Sequence, residues 1–127
     1  MEINTIEIKT IDYDFSICKA ADYSSVNLNA QYCFIGKTDE EKSLVCMTAD
    51  VPYDVIKRDD GWRAFRIQGE LEFSLIGILS GITGILAENN IGIFAVSTFN
   101  TDYVFTKKEN YARALEVLRT AGYKILA

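Results

Sequence analysis

The segment SLIGILSGITGILAENN, residues 74–90, constrains the fold of this chain more than any other stretch. Leu75, Ile78, Leu79, Ile82, Ile85 and Leu86 recur at helical spacing. Ser74 stands where an N-cap belongs, and Asn89, Asn90 and Gly92 supply the stop. Strand-like runs flank this helix. GWRAFRIQG, ahead of it, holds Trp62, Ala64 and Phe65 to Ile67 between glycines, and ELEF links it to the helix. IGIFAVSTF, behind it, is apolar almost throughout, as a buried strand would be. DYVFT reads as a further strand. Thr106 to Glu109 then fits a capping box, opening a helix with Tyr111, Ala114, Leu115 and Leu118 on one face. Gly122 is its C′ stop and YKILA a closing strand. From Trp62 onward the order is strand, helix, strand, strand, helix, strand. That is the α+β, ferredoxin-like βαββαβ plan, with one face of a sheet covered by two helices.

Before Trp62 the pattern changes. NTIEIKTI and YDFSICKA read as strands meeting near Asp12, and YCFIGKT and SLVCMTA as two more joined by the charged turn DEEK. VPYDVIKRDDG reads as a linker or stunted helix, and SSVNLNAQ as a short helix at most. The expectation is two modules, residues 1–60 and 61–127, with the first poor in helix and the boundary near Asp60 and Gly61.

Charge and composition narrow the function. The net charge is −5. Residues 1–63 hold twelve acids against seven bases and the remainder six of each, so no basic patch follows a phosphate backbone and nucleic-acid binding is not expected. Cys18, Cys33 and Cys46 match no zinc spacing, and the chain has no histidine. Three reduced, buried thiols are expected, in keeping with a cytoplasmic protein. The N-terminus lacks a signal peptide's pattern, and no apolar run is long enough to span a membrane. Without histidine the commonest general base and nucleophile pairs are lost, so no catalysis, metal or cofactor is expected.

Two features remain. Gly77, Gly81 and Gly84 share one face of the first helix. Each costs about 1 kcal/mol relative to Ala, so a neighbouring element, a second subunit or a ligand is expected to approach that face closely. The corner STFNTDYVF sets Ser97, Thr98, Asn100, Thr101 and Asp102 between two apolar blocks, with Asn100 and Thr101 at the bend. It is either a plain hairpin turn or the wall of a polar pocket. The free amides at the helix start, Ser74 to Gly77, favour a carboxylate, and Asp102 favours a cation. An amino acid carries both groups.

The stretch GWRAFRIQGELEFSLIGILSGITGILAENNIGIFAVSTFNTDYVF resembles the ACT domain. It is most like the small two-module ACT proteins related to CASTOR-type arginine sensors. IFAVSTFNTDYVF also looks like the corresponding segment of aspartate kinase regulatory domains, and TDEEKSLVC resembles the N-terminal module of the same family. The resemblance implies tandem ferredoxin-like modules that bind a small molecule, usually an amino acid, at an interface. It implies that Phe73, Ser74, Leu75, Ile76 and Gly77 grip the ligand's carboxylate and amino group. Phe94, Ala95, Val96, Ser97 and Thr98 would line the strand side, and Asp102 would read the polar end. Family members often carry a proline in the link that here reads ELEF; Glu72 keeps the acid, but the proline is missing.

The leading expectation is an amino-acid-binding regulatory protein without catalytic activity, a homodimer that signals through a protein partner the sequence does not name. The alternative is a structural or protein-interaction module that dimerises and binds no small ligand. A small enzyme using Asp102, Glu72 or Glu70 is the third reading; no visible nucleophile pair supports it.

Overall fold

The computed structural model describes residues 6–68 and 75–127, with only the backbone given for Leu75 and Ile76. Its elements are β1 (Glu7–Lys19), β2 (Cys33–Lys37), β3 (Lys42–Met47), a 3₁₀ turn (Thr48–Asp50), β4 (Lys57–Gln68), α1 (Leu75–Glu88), β5 (Ile93–Ser97), β6 (Asp102–Lys107), α2 (Lys108–Thr120) and β7 (Lys124–Leu126). They divide into two compact units, Tyr13–Trp62 and a second formed by Met1–Asp12 with Arg63–Ala127. Strands β1 and β4 each contribute to both.

The unit containing Arg63–Ala127 is α+β, with the expected βαββαβ order from β4 to β7. Its strand order is β7-β1-β4-β6-β5. The sequence order alone would set the last strand of the βαββαβ unit within its own module. Instead β7 pairs in parallel with the first half of β1, Ile8 opposite Ile125, and β1 lies next to β4. The reason is apolar. Ile6 and Ile8 are buried in the same cluster as Phe65, Ile67, Ile78, Ile82, Leu86, Val104 and Leu118. Each such side chain contributes about 1.5–3 kcal/mol on full burial. The helices α1 and α2 therefore share one core with the sheet face carrying Phe65, Ile67 and Val104.

Both helices end on left-handed residues. At α1, Asn90 has φ 59°, and the amides of Asn90 and Ile91 return to the carbonyls of Ala87 and Leu86. At α2, Gly122 has φ 110°, and the amides of Gly122 and Tyr123 return to Arg119 and Leu118. Each is a Schellman closure, with Ile91 and Tyr123 carried into the core as its apolar partners. The expected capping box at the start of α2 does not form. Thr106 is fully buried, its hydroxyl donates to the Lys107 carbonyl at 3.2 Å, and Lys107 is an N-cap without a side-chain bond.

The Tyr13–Trp62 unit is strand-rich, in the order β2-β3-β1-β4, and among its described residues the only helical piece is the 3₁₀ turn. Three sequence expectations change here. β1 is one strand of 13 residues with no break at Asp12, SSVNLNAQ forms turns, and IKRDDG is not a linker because Lys57 opens β4. Lys57–Asp60 are charged and exposed, which hid a strand whose apolar part begins only at Trp62. β1 and β3 pair antiparallel from Phe15 opposite Met47 to Lys19 opposite Ser43, and β3 pairs β2 with Cys46 opposite Cys33. Cys18, Cys46 and Leu44 form a small core with Cys33, Val26, Val51 and Val55 packed on it. All three thiols are free; Cys18 and Cys46 are buried, whereas Cys33 is half-buried. Burial pushes the Cys46 thiol up to about 12 and raises Cys18 and Cys33 as well, so these are packing groups held as neutral thiols.

Candidate functional site

The corner between β5 and β6 is a tight hairpin. Ser97 lies opposite Asp102, and the Thr98 amide donates to the Thr101 carbonyl at 2.8 Å. The tip is therefore Phe99 and Asn100, one residue earlier than the sequence suggested. Thr101 is not at the bend but buried, 9% exposed, and its hydroxyl donates to the Ile67 carbonyl at 2.7 Å. That bond ties the corner to the end of β4. Phe99 projects from the tip fully exposed.

Alternation sorts the candidate residues onto two faces. Val104 and Ile93 pack in the helix-side core, so Ala95, Ser97 and Asp102 share that face with them. Phe94 lies on the other, stacked on Phe105 with centroids 4.4 Å apart and planes 2° from parallel. Val96, opposite Tyr103, is on the same side as Phe94. The five strand residues thus cannot all touch one ligand from one face. Thr98 is exposed, and Gly77 is exposed in the first turn of α1. Phe73 and Ser74 lie outside the described residues, as do the side chains of Leu75 and Ile76.

Asp102 is the most unusual of the set. It is only 6% exposed, its carboxylate accepts a hydrogen bond from the Ser97 hydroxyl, and among the described residues no cation is paired with it. A carboxylate removed from water in this way is satisfied in part by the hydroxyl and retains lone pairs for a positively charged partner. The other ionic contacts of this unit are conventional. Arg63 meets Asp12 at 2.8 Å, and the Tyr111 hydroxyl donates to the Ala64 carbonyl at 2.5 Å. Burial pushes the Tyr111 phenol up to about 12.

The corner also borders a recess that the sequence did not reveal. Arg66, Ile67, Gln68, Asn100, Thr101 and Tyr103 line an open recess of about 330 Å³. The signal was present in β4, where Arg66 and Gln68 alternate with Phe65 and Ile67, but a polar residue in a strand reads by default as solvated surface. Of Gly81 and Gly84 in the glycine row, a close neighbour is present at Gly81 alone. A Cβ on Gly81 would sit 3.2 Å from the Tyr123 hydroxyl, whereas one on Gly84 would meet nothing within 4 Å. Among the described residues no group of three or more His, Cys, Asp or Glu side chains could hold a metal, and no helix is long and apolar enough to cross a membrane.

The ACT domain family model matches residues 57–120, half of the chain and all of the corner. The chain belongs to the ACT domain family. Over 125 residues it is 30% identical to the human protein named cytosolic arginine sensor for mTORC1 subunit 1; the match covers 92% of this chain but 38% of that relative. The chain therefore spans less than two fifths of the curated relative. Among solved structures it is similar to Agrobacterium tumefaciens protein Atu0741, with 30% identity, a TM-score of 0.84, and coverage of 95% of this chain and 92% of that one. The fold also matches the aspartate kinase of Clostridium acetobutylicum, an allosteric enzyme, with a TM-score of 0.63 at 14% identity over 95% of this chain and 36% of the kinase. Family and fold thus agree with the ACT resemblance.

Proposed function

We propose that this ACT protein is an amino-acid-binding regulatory protein with no catalytic activity of its own. The observation that carries this is Asp102, a buried carboxylate at the end of the hairpin with which no cation among the described residues is paired. A ligand ammonium or guanidinium would supply the missing charge. The start of α1 would take the ligand's carboxylate through its free amides, with Phe73, Ser74, Leu75, Ile76 and Gly77 around it. Ala95 and Ser97 share the Asp102 face and would contact the ligand. Phe94 and Val96, on the other face, would hold the strand in place. The family and the human arginine sensor support the same class of ligand, and that relative's name supports a cytosolic setting.

A loaded sensor passes its signal to something else, so a protein partner belongs to this proposal. So does a homodimer: β5 is an outer strand of its unit, and uncovered strand edges favour pairing with a second copy. Light scattering across a wide concentration range tests the dimer, and a monomer throughout would refute it. A thermal-shift screen of the common amino acids tests ligand binding, because a ligand that binds only the native state raises its stability by mass action. A saturable rise with an amino acid, lost in Asp102→Asn, is the expected result. No stabilisation by any amino acid would leave the corner a plain turn.

A further inference from the structure

Among the described residues Arg66 and Arg113 are the arginines not paired with a carboxylate. Arg58, Arg63 and Arg119 each meet a carboxylate, at 3.0, 2.8 and 2.9 Å, and Arg113 donates to the Asn89 carbonyl. Arg66 is half-buried, and among the described residues its hydrogen bond is to a neutral amide: its Nε donates to Gln68 Oε1 at 3.0 Å. Acids are not scarce, since the chain holds 18 against 13 bases. A guanidinium has five N–H donors in a planar fork, so four remain for other partners. Among the described residues no acid lines the recess that Arg66 faces, and its other polar walls are Gln68, Asn100, Thr101 and Tyr103.

The recess is on the opposite side of the sheet from Asp102. Phe65 and Ile67 enter the helix-side core, so Arg66 and Gln68 point the other way, as does Tyr103 between Asp102 and Val104. At about 330 Å³ it is at the small end of ligand pockets. The Gln68 amide holds the guanidinium at Nε and leaves the outer nitrogens free, which pre-organises the fork for a planar anion. We propose that this recess is a second binding site, for a small carboxylate gripped by Arg66 and oriented by the amides of Gln68 and Asn100. An oxyanion is favoured over a spherical ion because the guanidinium fork matches two oxygens at once, and the amide donors of Gln68 and Asn100 suit a neutral-walled site for a singly charged carboxylate group. The proposal does not depend on amino-acid binding at Asp102, which attracts the opposite charge.

The test is a titration of the ¹⁵N-labelled protein, following the Arg66 Nε–H resonance in the wild type and the backbone amides of Gln68, Asn100 and Thr101 in every variant. Sodium succinate is the probe, since it has no amino group for Asp102 to recognise. Sodium chloride at matched ionic strength and inorganic phosphate are the parallel arms. The expected result is a saturable shift with succinate and none with chloride. Arg66→Lys keeps the charge but loses the fork, and should weaken succinate binding about tenfold or more. Arg66→Gln should abolish it, and Asp102→Asn should leave it unchanged. A shift that tracks ionic strength alone, saturation that survives in a folded Arg66→Gln, or saturation by phosphate but not succinate would overturn the proposal. The wild-type titration decides even if a variant fails to fold.

Discussion

Thr101→Val cuts the tie between the hairpin corner and β4 while keeping the side chain's shape. The hydroxyl lost is 2.7 Å from the Ile67 carbonyl, in a residue 9% exposed, and Ile67 itself is 1% exposed. Water cannot readily replace the donor. A neutral hydrogen bond contributes about 0.5–1.5 kcal/mol net, and stranding a buried acceptor raises the loss to about 1–3 kcal/mol. For a chain of 127 residues, 1 kcal/mol moves the melting temperature by about 4 °C, so a fall of about 4–12 °C is expected. Thr101→Ser is the control. It keeps the hydroxyl and removes one methyl, a loss of about 0.8 kcal/mol or about 3 °C. Circular dichroism melts of the three proteins give the comparison. A Thr101→Val midpoint equal to wild type, or a larger loss in Thr101→Ser, would refute the tie as the element that positions the corner.

Gly84→Ala should raise the melting temperature by about 2–4 °C, because its Cβ meets nothing within 4 Å and Ala is favoured over Gly in a helix by about 1 kcal/mol; a loss that deepens with protein concentration would show that a second copy seats on that face. Tyr111 sits near 12 when folded against an ordinary 10, so the folded state keeps a proton that the unfolded state loses. Its contribution is fully present below pH 10 and is lost as the pH rises toward 12, at up to about 1.4 kcal/mol per pH unit. Denaturant titrations of Tyr111→Phe should show a shallower decline over that window, and an unchanged slope would exclude it. Cys18 and Cys46 should resist a thiol reagent in the native protein and react on unfolding, with Cys33 modified first; native reaction of Cys46 at the rate of Cys33 would contradict their burial.

The parts of the fold legible in the sequence are those governed by local signals. The periodicity of Ile78, Ile82 and Leu86 marks α1, and Asn90 and Gly122 mark helix ends because few other residues take a left-handed backbone. The capping box failed because Thr106 is drawn into the core by its strand position, and a buried hydroxyl cannot also cap. The long β1 was legible only as fragments: its partners β7 and β3 are far along the chain, and no local pattern states a non-local pairing. Likewise β4 began unseen, since its first four residues are exposed and charged. At the site, Asp102 could be picked out as a carboxylate beside apolar strands, but its burial and its Ser97 partner required the register. Arg66 was invisible, because its pairing with Gln68 rather than an acid is set by the folded strand and not by its neighbours in sequence.

The central claim is that Asp102 awaits the cation of an amino acid, and calorimetric titration of wild type and Asp102→Asn with the best ligand from the thermal screen tests it most directly. Asn keeps an oxygen for the Ser97 hydroxyl and removes only the charge. A hydrogen bond to a charged group contributes about 1.5–3 kcal/mol, so the affinity should fall by about ten- to a hundredfold while the fold persists. Equal affinities would contradict the account and remove Asp102 from the site.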